Sequence, residues 1–582
     1  MGMWRLFVLS ASCLAVTACL STKGPVDPAL LERAEAATKL RTDIDAMSTF
    51  AVAKYAGLTE DPLKSAQNYA RLLSNVSDDP WVAEQAIYSV LRVGETERAI
   101  KLAKRLPLET VLETELPRLL LAVDAVKRGK NDEAFSYMTT PWSSVYHAML
   151  ARSLAAWALL EEDPELAISL QSQAGGTEGL YALIGQTLRA IMKASAGDEA
   201  GAREDLAFLW SVDARLAMGV EAEARLLALA GDTDTALDRL RLFRNEVGRH
   251  PALIALAAEI KSETVAPFPK YSAAQGTALS FYLATAPQVS QGLGDAPAVY
   301  FAMAVHLDPE LDVAKTLWAD TLDQTNRRPE AIDLLESIPE ISVHHTSAQG
   351  QLAWALRREG RDREALEIAR ETLARTDNRN IRVQLADLLQ SLGRDGEAEA
   401  TFTEVIEADE AAGNYDWRIY FARGGARERL GEWPPAENDL KTAMTLNPEN
   451  PTIMNYLGYS WIDRGINLED GLDLIEQALR LAPNNGAITD SLGWAHYKMG
   501  NYERAIFYLE RAAALEPDLS EILDHLGDAY WQVGRFKEAG FQWERALKYA
   551  TDDAEISLLR KKLNGGIALL QAANNDAMPA YP

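Results

Sequence analysis

The sequence predicts an all-α protein, a right-handed α-solenoid of helical hairpins, and three observations carry that prediction. Glycines recur at Gly424, Gly458, Gly493 and Gly527, and again at Gly431, Gly465, Gly500 and Gly534, with steps of 34 or 35 residues in both columns. Alanines at Ala443, Ala478, Ala512 and Ala546 and prolines at Pro448, Pro483 and Pro517 keep the same period. A chain of 582 residues is too long for one compact core, which leaves several globular domains or a repeat array, and the fixed period selects the array.

At the N-terminus, residues 1–18 read as an export signal. Met1–Arg5 carries one positive charge, and Leu6–Ala15 is an apolar run of ten residues, short of the ~20 that span a bilayer. The run ends in Val16-Thr17-Ala18-Cys19, which resembles the bacterial lipobox: an aliphatic residue, two small ones, then the cysteine that is acylated before cleavage. Cys13, the other cysteine of the chain, lies inside the apolar run and is a poor alternative. The competing reading is an ordinary secretory signal that happens to contain cysteine. The body after Cys19 has no cysteine, which excludes disulfides and thiolate metal sites there. Two or three acyl chains hold a protein stably on a membrane where one would be marginal. The resemblance implies a lipidated Cys19. Leu20 stands where an Asp would mark retention in the inner membrane, so the expected location is the periplasmic face of the outer membrane. Residues 19–46 are then the lipidated cysteine and a tether, with Gly24, Pro25 and Pro28 near its start.

Residues 47–262 repeat a weaker version of the periodic signal. Gly94/Ala99, Gly129/Ala134, Gly197/Ala202 and Gly231/Ala236 are glycine–alanine pairs five residues apart, the mark of degenerate hairpins. Residues 263–309 break the pattern with Pro267, Pro269, Pro287, Pro297, Gly276, Gly292 and Gly294. This predicts an irregular hinge hairpin between two superhelices, with helices from about Ser272 to Ala286 and from Ala298 to His306.

Residues 310–562 form the C-terminal superhelix. Leu317-Trp318 with Ala331 opens it, Asn326 replacing the turn glycine, and Gly360/Ala365 and Gly393/Ala398 continue the register. From residue 414 each column has a physical cause. The first glycine, and the small residues Ala436, Gly471, Ala505 and Ala539, let two antiparallel helices approach. The second glycine supplies the left-handed conformation that ends the first helix of each pair, and the proline stops the second. The single extra residue falls between Gly465 and Gly471, six apart where the neighbouring repeats have five. A period of 34 with this pattern is the tetratricopeptide repeat (TPR) signature. After Lys562 the periodicity is lost, and residues 563–582 are expected to be a disordered tail.

The composition narrows the function. The formal net charge is −27 and no basic block occurs, so nucleic acid is not an expected partner. No HExxH, GxSxG, phosphate-binding glycine loop or dinucleotide fingerprint is present, and Gly292-Leu293-Gly294 meets Pro297 where a third glycine would be needed. His344 and His345 are adjacent and on a helix would point about 100° apart; His496 and His525 read as residues buried between repeats. No catalytic residue, metal site, cofactor or small-molecule substrate is expected.

A protein partner is. Counting from the small-residue pairs, the first-helix positions facing away from the second helix are Asn455, Tyr459 and Ile462, then Asp490, Trp494, Tyr497 and Lys498, then Asp524, Asp528, Trp531 and Gln532. Aromatics supply contact area with little loss of rotamer entropy, and amides and carboxylates orient a peptide backbone. These positions read either as a partner-binding groove or as packing between adjacent repeats.

Three strings are more specific than the repeat itself: Asn455–Leu479 (NYLGYSWIDRGINLEDGLDLIEQAL), Asp490–Ala512 (DSLGWAHYKMGNYERAIFYLERA) and Asp524–Leu547 (DHLGDAYWQVGRFKEAGFQWERAL). With the lipobox and the repeats from about residue 272, they make the chain similar to the long proteobacterial TPR lipoproteins of the outer membrane. The similarity is greatest to the adaptor lipoprotein partnered with a carboxyl-terminal processing protease. The resemblance implies a non-enzymatic scaffold that brings a periplasmic protease to the cell-wall hydrolases it degrades. The alternative is an assembly or pilot factor for secretion, pili or lipopolysaccharide export, which only the identity of the partner separates from the first.

Overall fold

A computed structural model describes residues 44–59, 61–176, 178–290 and 296–577. Among these residues every regular element is a helix, and successive helices pair as antiparallel hairpins, which gives the expected all-α solenoid class. The chain divides into two compact units, Met1–Arg361 and Asp362–Pro582. Cys19, the expected signal segment and nearly all of the expected tether lie outside the described residues.

In the second unit the glycine columns do what their spacing predicts. Gly431, Gly465, Gly500 and Gly534 have φ of 80°, 70°, 78° and 80°, the left-handed geometry that costs any other residue strain. The other glycine column marks helix contact. A Cβ on Gly458 would lie 2.7 Å from the Gly471 carbonyl oxygen, one on Gly493 2.6 Å from Leu509 Cγ, and one on Gly527 2.5 Å from Trp543 Nε1. Ala436, Ala505 and Ala539 on the facing helices are fully buried. The extra residue of the second period is absorbed at Asn467, which is left-handed (φ 45°) and precedes the helix Leu468–Leu481.

The first unit is built differently. The pairs around Gly94, Gly129, Gly197 and Gly231 are hairpins, each glycine at positive φ and each following alanine (Ala99, Ala134, Ala202, Ala236) fully buried. Asn326, standing in for a turn glycine, adopts φ 63°. The expected hinge at 263–309 needs correction. Its helices are Ala273–Ser290 and Ala296–Leu307, close to the predicted ones, but they are packed into the core of this unit. Trp157 Nε1 donates to Ser280 Oγ at 3.1 Å, Tyr146 and Thr285 hydroxyls lie 2.8 Å apart, and His147 Nε2 meets the Tyr300 hydroxyl at 2.9 Å. Gly276 is required there, since a Cβ would sit 2.0 Å from the Trp157 ring. The Arg327 guanidinium closes the unit by donating to the carbonyls of Arg92 and Val93 at 2.6 and 2.8 Å. The physical reason lies in composition: neither helix of the hairpin contains Asp, Glu, Lys or Arg, and a helix without a polar face is stable only when surrounded. The prolines and glycines punctuate its ends.

The expected disordered tail is also corrected. The helix Asp553–Ala577 runs through most of it, because Ala, Leu and Gln from 568 to 573 are strong helix formers. Residues 578–582 lie outside the described residues.

Candidate functional site

The predicted groove residues sit on three successive first helices, Pro451–Arg464, Gly486–Lys498 and Ser520–Gln532. Their neighbouring turns are brought together by stacking. The Trp494 indole lies face to face with the Tyr497 ring at 4.6 Å on one side and the His525 imidazole at 4.0 Å on the other. His525 Nδ1 meets the Asp490 carboxylate at 3.0 Å, and Gln532 Nε2 donates to the Tyr497 hydroxyl at 3.1 Å. Asp490 and His525 are buried; Trp494 and Tyr497 are half-buried.

Charge is balanced inside this cluster. Burial opposes the imidazolium of His525, but the charge and hydrogen bond of Asp490, with Glu521 and Asp524 nearby, outweigh it and raise the pKa to about 9. Lys562, from the last helix, is buried with its ammonium 2.7 Å from Asp524 and 2.8 Å from Asp528. Asp528 also accepts from Trp543 Nε1 at 3.0 Å. Burial, then repulsion from Asp524, lifts Asp528 to about 6. Burial pushes the Tyr497 phenol up to about 12, and burial with Glu521, Asp463 and Asp490 pushes Tyr459 well above the usual phenol range.

The remaining residues flank the cluster. Trp531 packs edge-on against Phe536 at 4.5 Å and tilted against Trp543 at 5.5 Å, within its own hairpin. Lys498 is exposed and pairs with Asp463 at 3.2 Å. Asn455 Oδ1 and Trp494 Nε1 are buried and have no hydrogen-bond partner among the described residues. Ile462 is fully buried and belongs to the core. The structure therefore joins Asp490, Trp494, Tyr497 and His525 in one cluster, with the Lys498 ammonium 5.8 Å from the Trp494 ring, and Asp524, Asp528, Trp543 and Lys562 in a second, with Trp531 against Trp543. Sequence reasoning missed Lys562, a lysine beyond the last repeat with no periodic partner. It placed His525 correctly as buried but without its carboxylate, although Asp490 lies 35 residues upstream, one repeat away. His496 is likewise buried, stacked on Tyr508 at 5.5 Å. Among the described residues no group of three His, Cys, Asp or Glu side chains could hold a metal ion.

Comparison with known proteins places the repeats. A tetratricopeptide repeat family matches residues 496–563, and a second such family matches residues 380–411. A TPR repeat-containing protein of Pseudomonas aeruginosa is 31% identical over 93 residues, which are 16% of this chain and 16% of that protein. The chain thus aligns with only a small part of that relative's length. Among solved structures, a tetratricopeptide repeat protein from Parabacteroides merdae is 14% identical, covering 44% of this chain and 97% of its own, with a TM-score of 0.38. An APC/C hetero-tetramer chain is 12% identical over 89% of this chain and 96% of that one, with a TM-score of 0.38. A thermophilic TPR protein of Thermus thermophilus is 24% identical over 33% of this chain and 100% of that one, with a TM-score of 0.29. Residues 380–411 and 496–563 are tetratricopeptide repeats, and a stack of such repeats is a scaffold for protein–protein interaction.

Proposed function

We propose that the chain is a lipid-anchored envelope adaptor, held through Cys19 at the periplasmic face of the outer membrane, that links a periplasmic protease to cell-wall hydrolases. The observation that carries a docking role is the strip of half-buried aromatics on successive first helices. Tyr459, Trp494 and Tyr497 keep part of their ring surface in solvent there, and the exposed Lys498 lies beside the Trp494 ring, its ammonium 5.8 Å from the ring centre. The lipobox-like Val16–Cys19 and the strings beginning at Asn455, Asp490 and Asp524 support the envelope setting and the adaptor role. A long repeat array suits that role because separate segments can hold two partners at high effective concentration.

Co-purification from detergent-solubilised envelopes tests the reading, with the unaltered chain beside a Trp494→Ala variant whose helicity is checked by circular dichroism. Recovery of a protease or of cell-wall hydrolases, reduced in the variant, is expected. Recovery of secretion or lipopolysaccharide-export components in their place would overturn the protease role. The anchor is tested separately: Cys19→Ala should move the protein from the membrane to the soluble fraction and abolish labelling by radioactive palmitate.

A further inference from the structure

A second surface lies in the first unit, on the hairpin of Thr233–Glu246 and Pro251–Lys261. Its two helices bound a groove of about 500 Å³. The floor is apolar, with Leu240, Phe243 and Leu253 at its base and Ile254 half-exposed on its wall. Among the described residues no further hairpin packs over it; the His344 ring meets only its end, 5.9 Å from that of His250. The chain turns back along the preceding helices, where Arg225 donates to the Ala266 carbonyl at 3.4 Å and the Tyr271 N–H donates to Ser195 Oγ at 2.9 Å.

The rim is cationic. Arg241 is engaged by Asp238 at 3.0 Å, but Arg244, Arg249 and Lys261, all exposed, form no ion pair among the described residues. In the second unit, by contrast, Arg423, Arg427, Arg429 and Arg464 are each paired with a carboxylate. Three unneutralised cations around an apolar floor describe the complement of an amphipathic helix with acidic flanks. The shorter wall has 11 residues, ~17 Å at 1.5 Å per residue, enough to hold three turns.

We propose that this groove binds an acidic amphipathic helix of a partner protein. The occupant lays apolar side chains at i, i+3 or i+4, and i+7 onto Leu237, Ile254 and Ala257, apolar lining residues that keep accessible surface, and its carboxylates meet Arg244, Arg249 and Lys261 along the rim. The apolar floor supplies the affinity; the cations set orientation and select against basic partners. This site is separate from the C-terminal strip and gives the scaffold a second partner class.

The test uses the full chain and two fluorescein-labelled synthetic helices of three to four turns, identical in their leucines and differing in Glu or Lys on the flanks. Fluorescence anisotropy should show the Glu helix binding at least tenfold tighter than the Lys helix, with an affinity that falls as salt rises. Arg244→Glu/Arg249→Glu and Ile254→Asp should each weaken the Glu helix at least tenfold with circular dichroism unchanged, whereas Trp494→Ala should leave it unaltered. Equal binding of both helices, no binding of either, or binding indifferent to both variants would overturn the proposal. So would two other results in the absence of charge-selective peptide binding. One is capture of phosphatidylglycerol vesicles that the double variant abolishes, which assigns the rim to lipid. The other is self-association that Ile254→Asp abolishes, which assigns the groove to a second copy of the chain.

Discussion

His525 is a buried base held in its charged form by one carboxylate. Its pKa of about 9 exceeds the unfolded value of 6.5, so its contribution to stability is complete below about pH 6.5 and is lost as pH rises through 9. A shift of that size corresponds to about 3 kcal/mol. The melting temperature of the chain should fall between pH 6.5 and 9, and His525→Gln should flatten that slope while lowering stability at pH 6. A melting curve whose pH dependence is the same in the variant would count against the Asp490 pairing. Asp528 acts with the same sign at lower pH. Its pKa is raised to about 6, so stability is highest below the ordinary carboxylate value and declines as pH rises through 6. Lys562 holds that decline in check. Lys562→Met leaves Asp524 and Asp528 buried without their cation, which costs about 3–5 kcal/mol at pH 7. Much of that loss should return at pH 5, where Asp528 takes up a proton, and denaturant titrations at the two pH values compare them directly.

At the scale of the helical pair, the two glycine columns fail in different ways when a methyl group is added. Gly534→Ala forces an L-residue to φ 80° in a site with open space around it, a purely conformational cost of about 1–2 kcal/mol. Gly527→Ala keeps its helical backbone but drives a Cβ into Trp543, whose indole also donates to Asp528. Overpacking of this kind costs about 1–3 kcal/mol and should shift tryptophan fluorescence, which Gly534→Ala should leave unchanged. Both columns were legible in the sequence because a close approach and a left-handed turn each tolerate almost one residue type. Asn326 was legible for the same reason, as the side chain that best accepts αL after glycine. The groove was legible only as positions. Period and face give which helix side a residue occupies, but not whether a stack such as Trp494 on His525 has already filled it. Lys562 was hidden because it lies outside the period, and the hairpin at 273–307 because its proline and glycine ends drew the reading away from its uncharged middle.

For the whole molecule, two compact units of different construction imply different responses to damage. The second unit is a ladder in which each hairpin rests on its neighbours, whereas the first gathers helices from 62–159 around a hairpin from 273–307. Trp157 joins those parts through Ser280 and Gly276. Trp157→Ala should cost about 3–5 kcal/mol and be felt throughout that core. Hydrogen exchange followed by mass spectrometry should show protection lost across 80–159 and 273–307 together and retained across 451–549. Loss confined to 145–159 would mean that the central hairpin does not hold the unit together.

That central hairpin also sets a timetable. Helices 80–92 and 116–127 bury their apolar faces against the hairpin at 273–307, far later in the chain, so those faces stay uncovered until that segment has entered the compartment where the chain folds. The C-terminal repeats need no such delay, since each finds its contacts within the next hairpin. The nascent first half is therefore the stretch that depends on a holding chaperone, and truncations ending before residue 273 should aggregate where those ending after 330 remain in solution.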